Sequence, residues 1–399
     1  MDPRTKAIHA GAVPNEHRAV AEPIYRTSTY SFDSIAESQE RTERMRTGSG
    51  PAYFYSRLGN PTNAALERRI AALEHAEAAV VTGSGMGAIS AVMWTFLKAG
   101  DHLIADTALY GETHALFVDF LTRFGVEVEF MDLADVAALG AALRTQTAMV
   151  YLESPCNPTM KINDIAAIAE TVHAHDSATR VVVDNTFASP YLQNPLLLGA
   201  DLVVHSMTKY LGGHSDVIAG CVCGGSEDIA WLRYTGIARA TGSVLAADSA
   251  YLALRGIATL PLRMEAHCDN AERIAAWLAA SPHVATVHYP GLATHPGHKI
   301  AGQQMRRFGG MLAVELSFGQ EQTMAFVDAL RLARIAVSLG GVETLVEHPA
   351  GMTHQSLSPE ELASAGIAPS LLRFSIGLED PDDLIADLEQ AFARAQRRS

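Results

Sequence analysis

"ADLVVHSMTKYLGGHSD", residues 200–216, decides how the chain is read. Leu202, Val203 and Val204 form a short apolar run of the kind found in strands buried on both faces. A polar segment and the pair Gly212-Gly213 follow at once, so the strand ends near Ser206. Lys209 therefore stands just past the end of an interior strand, with Ser206 and Thr208 close before it. Lysine is rarely buried without a partner. Either Lys209 is a solvated surface amine, or its charge is removed by forming an imine.

The texture of this stretch extends outward over much of the chain. From residue 62, amphipathic segments such as "TNAALERRIAALEHAEA", "MGAISAVMWTFLKAG" and "IAAIAETVHAH" alternate with short runs such as "HLIAD", "AMVYLES" and "RVVVDNT". Helices alternating with β-branched strands predict an α/β fold whose mostly parallel sheet is covered by helices on both faces. The helix beginning at Met86 is expected to end at Gly100. Past residue 255 the strands read as half-exposed, in "MLAVELSF" and "LLRFSIGLE", and the last helix is "DDLIADLEQAFARAQRR". Three parts are expected: an arm over residues 1–61, a larger domain over 62–255 and a smaller α/β domain over 256–399. The arm is polar and turn-rich, yet it carries Tyr30, Tyr53, Phe54 and Tyr55, which predicts that it docks on something.

Composition narrows the function classes. The chain has 399 residues, and its 30 Lys and Arg against 44 Asp and Glu give a net charge of −14. That balance argues against general nucleic-acid binding, which needs clustered cations. Four cysteines, Cys156, Cys221, Cys223 and Cys268, include no C-x-x-C pair, so buried thiols in a reducing cytoplasm are expected. No window has the apolar length of a membrane span, and no membrane partner is expected. The 16 histidines form no H-E-x-x-H or similar set, so no metal is expected.

Open α/β sheets bind ligands at the carboxyl ends of their strands. The segments that follow the strands here are "TGSGMGA", "TALYGET", "ESPCNP", "DNT" and "HSMTK". The glycines between 83 and 87 lie between a strand and a helix, where backbone amides can cradle a phosphate or simply make a turn. Asp184 ends an apolar strand, where a carboxylate needs a cation: a Lys or Arg, or a protonated ring nitrogen on a ligand. A phosphate, a pyridine nitrogen and an aldehyde on one ligand would satisfy the whole set, and pyridoxal phosphate has all three. Ser206 and Thr208 would donate to the phosphate, and Tyr110 would stack on the ring. A nicotinamide-dependent oxidoreductase is the rival: Asp106 lies about 20 residues past the glycines, but the spacing is G-x-G-x-G, and Lys209 and Asp184 stay unexplained.

"SMTKYLGGHSD", "YSRLGNPT", "GSGM", "YGET", "ESPCNP", "VVVDNTFASPYLQNPL", "RGIATLPLRM", "GGMLAVEL", "MTHQS" and "LLRFSIGLED" together span nearly the whole chain. In that order they resemble the Cys/Met-metabolism family of pyridoxal-phosphate-dependent enzymes. The resemblance implies a fold type I transferase-like architecture with Lys209 as the Schiff-base lysine. It implies phosphate contacts from Gly85, Met86, Ser206 and Thr208, with Tyr55 and Arg57 reaching in from a neighbouring subunit. Asp184 would pair with the pyridinium, Tyr110 would stack on the ring and protonate the leaving thiolate, and Arg373, Ser338 and Asn157 would hold the substrate carboxylate. A cytoplasmic homotetramer built from dimers with shared active sites is implied as well.

Within that family the stretch "RIAVSLGG" decides the expected substrate. Cystathionine-processing members typically carry a glutamate at the place of Val337, and an apolar residue there suits a methylthio group. The resemblance is nearest to the methionine γ-lyases, which implies α,γ-elimination of a sulfur amino acid. Cystathionine γ-lyase and O-acetylhomoserine sulfhydrylase chemistries are the alternatives. Two positions depart from the methionine γ-lyase pattern: Glu112 stands where a cysteine is usual, and Ala238-Arg239 replaces a common Lys-Asp pair.

Overall fold

A computed structural model describes residues 1–12, 15, 17–47, 52–353, 362 and 366–398. The first sheet has seven strands: β1 (Ala78–Thr82), β2 (His102–Asp106), β3 (Glu127–Met131), β4 (Thr147–Glu153), β5 (Arg180–Asp184), β6 (Leu202–Ser206) and β7 (Gly220–Gly224). Their spatial order is β1-β7-β6-β5-β4-β2-β3. Neighbours from β6 through β3 run parallel, and β7 is antiparallel to both β1 and β6.

Alternation along these strands explains why both faces are covered. Val182, Leu202, Val204 and Val222 bury one way, with the helix Gly85–Phe96. Val181 and Val183 bury the other way with the helix Ile165–His175, while Val203, Cys221 and Cys223 do so with the helix Pro61–Glu74. Both thiols of "CVC" share a face, as period-two geometry requires. All four cysteines are free and buried.

A second sheet contains β8 (Val284–His288), β9 (Met311–Leu316), β10 (Arg334–Ile335), β11 (Leu345–Glu347) and β12 (Leu371–Ser375), in the order β10-β11-β12-β9-β8. The helices Leu260–Ala279 and Pro381–Ala395 supply its core partners, among them Ile274, Leu278, Leu388 and Phe392. The described part of the first sixty residues contains two helices, Pro3–His9 and Ile35–Thr47, with Asp2 capping the first. No described helix is long and apolar enough to cross a membrane.

The helix expected to run to Gly100 stops at Phe96. Leu97 is extended, and Lys98 N–H donates to Asp101 Oδ2 at 2.9 Å, so a side chain has captured the backbone for a turn before the glycine.

Candidate active site

A cavity of about 290 Å³ opens where the carboxyl ends of β4, β5 and β6 face β11 and β12 of the second sheet. Glu153, Asp184, Ser206, Glu347 and Arg373, one from each strand, line it. A larger cavity of about 760 Å³ lies under the N-terminal segment, lined by Tyr25, Tyr30, Tyr53, Arg68 and Arg233 among others, with no lysine. The reactive groups are gathered in the smaller one.

Lys209 lies inside that cavity and is not a solvated amine. Its Nζ donates to Ser338 Oγ at 2.6 Å. Burial lowers its pKa to about 8, with the positive charge of Arg373 acting in the same sense. Ser338 has a φ of +84°, in the left-handed region, where a residue with a Cβ is strained. Its carbonyl accepts from Arg373 Nη2 at 2.9 Å. One residue thus holds both the lysine and the arginine.

The acidic groups come from adjacent strands. Asp184 and Glu153 are register partners at the ends of β5 and β4. Burial pushes the Asp184 carboxyl up, while hydrogen bonds from Thr186 oppose the shift; Thr186 N–H lies 3.0 Å from Oδ1. Glu153 is raised well above the carboxylate range, by burial first and by Asp184 next. Its Oε1 accepts from Tyr110 N–H at 2.7 Å and its Oε2 from Asn157 N–H at 3.3 Å. Asn157 Oδ1 in turn accepts from Arg373 Nη1 at 2.7 Å. Tyr110 is 41% exposed at the rim, its phenol pushed up by burial and then by the charge of Glu112.

Gly85, Met86, Ser206 and Thr208 line the same cavity. The helix Gly85–Phe96 starts there, capped by Ser84, whose hydroxyl accepts from Gly87 N–H at 2.9 Å. A Cβ at Gly85 would stand 2.8 Å from Ser206 Cβ, so only glycine leaves this cradle open. A helix N-terminus beside two hydroxyls suits a phosphate, and the buried Asp184 carboxylate in the same cavity suits a ring cation. Together with a lysine of lowered pKa, these residues fit pyridoxal phosphate.

A model of the family described as "Cys/Met metabolism PLP-dependent enzyme" matches residues 4–393. The chain belongs to that family. Among Cys/Met metabolism enzymes, an L-methionine gamma-lyase of Fusobacterium nucleatum subsp. polymorphum is 49% identical over 390 residues, covering 98% of each chain. A cystathionine beta-lyase of Lactococcus lactis subsp. cremoris is 44% identical, covering 98% of this chain and 99% of its own. The crystal structure of cystathionine gamma-lyase from Lactobacillus plantarum complexed with L-serine superimposes with a TM-score of 0.91. It shares 42% identity and covers 99% of this chain and all of its own. Pyridoxal phosphate is the cofactor of the Cys/Met metabolism family, and the cradle described above is where this chain would hold it.

The cavity brings together Lys209, Tyr110, Asp184, Gly85, Met86, Ser206, Thr208, Asn157, Val337, Ser338 and Arg373. Tyr55 and Arg57 are not among its lining residues. The Arg57 guanidinium lies over the Tyr55 ring at 5.6 Å and donates to the Ala238 carbonyl at 2.6 Å. Asp106, the acidic group of the oxidoreductase reading, is fully buried and paired with Lys161 Nζ at 2.5 Å, so it offers nothing to a ribose. His205 and His348 are also occupied, by Glu74 and by the Pro369 carbonyl. Of the motif "MTHQS", Met352 and Thr353 are described, and His354 with the rest lies outside the described residues.

Two residues escaped sequence reasoning. Glu153 was legible in principle, since it ends a strand as Asp184 does. Glu347 carried no local signal, because its place beside Arg373 is set by strand pairing alone.

Proposed function

We propose that the chain catalyses the α,γ-elimination of L-methionine, consuming one water and releasing 2-oxobutanoate, ammonia and methanethiol. The observation that carries the substrate choice is Val337. It is 55% exposed, apolar, and lines the cavity directly beside Ser338. A methylthio group loses nothing against a valine, whereas the distal ammonium of cystathionine would lack a partner there.

Bound pyridoxal phosphate supplies an electron sink for Cα and Cβ of the attached amino acid. The roles of the chain's own residues follow from their chemistry. Arg373, with Asn157 and the Ser338 carbonyl fixing its fork, orients the substrate carboxylate. Lys209, with its pKa near 8, has a neutral fraction at physiological pH and takes the α-proton on Nζ, while Ser338 Oγ keeps that nitrogen in place. Asp184, a buried carboxylate lining the same cavity, would hold a proton on the ring nitrogen of the bound cofactor. Tyr110, with a raised pKa, stays protonated and delivers its phenolic proton to the departing sulfur.

We further infer that Tyr55 and Arg57 complete the phosphate site of a second copy of the chain, since they belong to the arm and stand apart from this chain's own cavity. On that reading residues 1–61 are an exchanged arm, 62–255 the cofactor-binding part and 256–399 the second domain. Two such pairs would form a homotetramer in the cytoplasm, where buried free thiols persist.

A second reading has its own support. Glu112 carries a negative charge close enough to raise the Tyr110 pKa, and that charge could meet the distal ammonium of cystathionine. Steady-state kcat/KM for L-methionine and L-cystathionine on one preparation separates the two. A higher value for methionine supports elimination of methionine, and the reverse makes the chain a cystathionine lyase.

A further inference from the structure

Arg373 and Glu347 are cross-strand partners in β12 and β11, and both line the active-site cavity. Glu347 is 1% exposed and Arg373 4%. The Glu347 carboxylate forms an ion pair with Arg373 Nη2 without the alignment of a hydrogen bond, and its other oxygen accepts from the Thr353 hydroxyl. Arg373 Nη1 is taken by Asn157, Nη2 also reaches the Ser338 carbonyl, and the buried Nε has no hydrogen-bond partner. The arginine is therefore neutralised before any substrate arrives. Strand register keeps the glutamate there.

A second carboxylate approaching this pair meets a cation whose field is already cancelled, together with the repulsion of Glu347. Asp184, Glu153, Lys209 and Tyr110 are the other charged or titratable groups lining the cavity, and a change at Glu347 leaves all four in place for either ligand. We propose that Glu347 is a specificity-determining residue, a resident counter-charge that denies tight binding to carboxylates lacking an α-amine. An amino acid offsets the weakened grip through its covalent capture by the cofactor. A 2-oxo acid product has lost that amine and leaves readily. This inference rests on the reading of Arg373 as the substrate-carboxylate group.

The test uses the holoenzyme and 4-(methylthio)butanoate, which is methionine without its amine, as inhibitor of methanethiol release. Glu347→Gln keeps an oxygen for the Thr353 hydroxyl and puts an uncharged NH₂ where the charged oxygen faced Arg373. Its inhibition constant for 4-(methylthio)butanoate should fall about tenfold, with KM for methionine falling in the same direction. Glu347→Ser removes the same charge with a smaller side chain and carries the same expectation should the glutamine variant fold poorly. Glu347→Asp keeps the charge and should stay near the parent value. A purely structural glutamate would weaken inhibition or leave it alone in the neutral variants, and either result overturns the proposal. Arg373→Gln separates the two levels of inference. If it raises the inhibition constant while the Glu347 variants fail to lower it, the counter-charge idea alone falls. If it changes nothing, the assignment of Arg373 falls with it.

Discussion

Lys209 Nζ donates to Ser338 Oγ at 2.6 Å, joining the loop after β6 of the first sheet to the segment between β10 and β11 of the second. On the roles proposed for Lys209 and Arg373, the contact would couple cofactor chemistry to substrate binding, because the Ser338 carbonyl also accepts from Arg373. It is maintained at a cost: Ser338 sits at a φ of +84° that glycine would adopt freely.

Two variants separate the hydroxyl from the strain. Ser338→Ala should lower kcat about tenfold through loss of one hydrogen bond to the base. Ser338→Gly should lose as much activity yet unfold at a higher temperature than the alanine variant, by about 1 kcal/mol of relieved backbone strain. Equal melting temperatures for the two would contradict this account.

The lowered pKa of Lys209 gives a pH dependence with a definite sign. Cofactor-free protein mixed with pyridoxal phosphate should capture it covalently with a rate that rises with pH and levels off past about 8. The folded value lies below that of an unfolded lysine, so the unfolded chain holds the extra proton between about 8 and 10.5. Stability of the cofactor-free protein carries this penalty in full below pH 8 and gains as pH rises through that window. A capture profile still climbing steeply at pH 10 would show that Lys209 is not desolvated.

Glu153 fixes Tyr110 and Asn157 by accepting from both backbone amides. Glu153→Gln can accept at its amide oxygen but presents an NH₂ where the second acceptor stood, which leaves one N–H unpaired at about 1–3 kcal/mol. The expected result is a lower melting temperature together with a raised KM and a reduced kcat. A variant with parent kinetics would show that the two loops hold their positions without the carboxylate.

On the proposed function, Val337 sets the preference between methylthio and ammonium-bearing side chains. Val337→Glu should shift the ratio of kcat/KM for cystathionine over methionine upward by about ten- to a hundredfold. An unchanged ratio would move the search for the substrate determinant to Glu112.

Much of this was legible in the sequence. The interior strands β2, β4, β5 and β6 could be read from short apolar runs because parallel strands buried on both faces carry few polar residues. The strand-end rule then collected the Gly-rich turn, Tyr110, Asn157, Asp184 and Lys209, all of which meet in one cavity. Arg373, Ser338 and Val337 came only from the family resemblance, since they reach the cavity from the second sheet. What stayed hidden depends on pairing between distant segments. β11 is three residues long, too short for a periodic signal, and Glu347 gains its meaning from the opposite strand, 26 positions on. The helix end at Phe96 was missed because the Asp101 side chain, not a glycine, turns the backbone.

The most direct test of the whole account is 2-oxobutanoate release from L-methionine by the purified holoenzyme, measured before and after borohydride treatment. The account predicts steady release that borohydride abolishes, with the reduced cofactor recovered on the peptide containing Lys209. Release that survives borohydride, or a cofactor fixed to any other lysine, would contradict it.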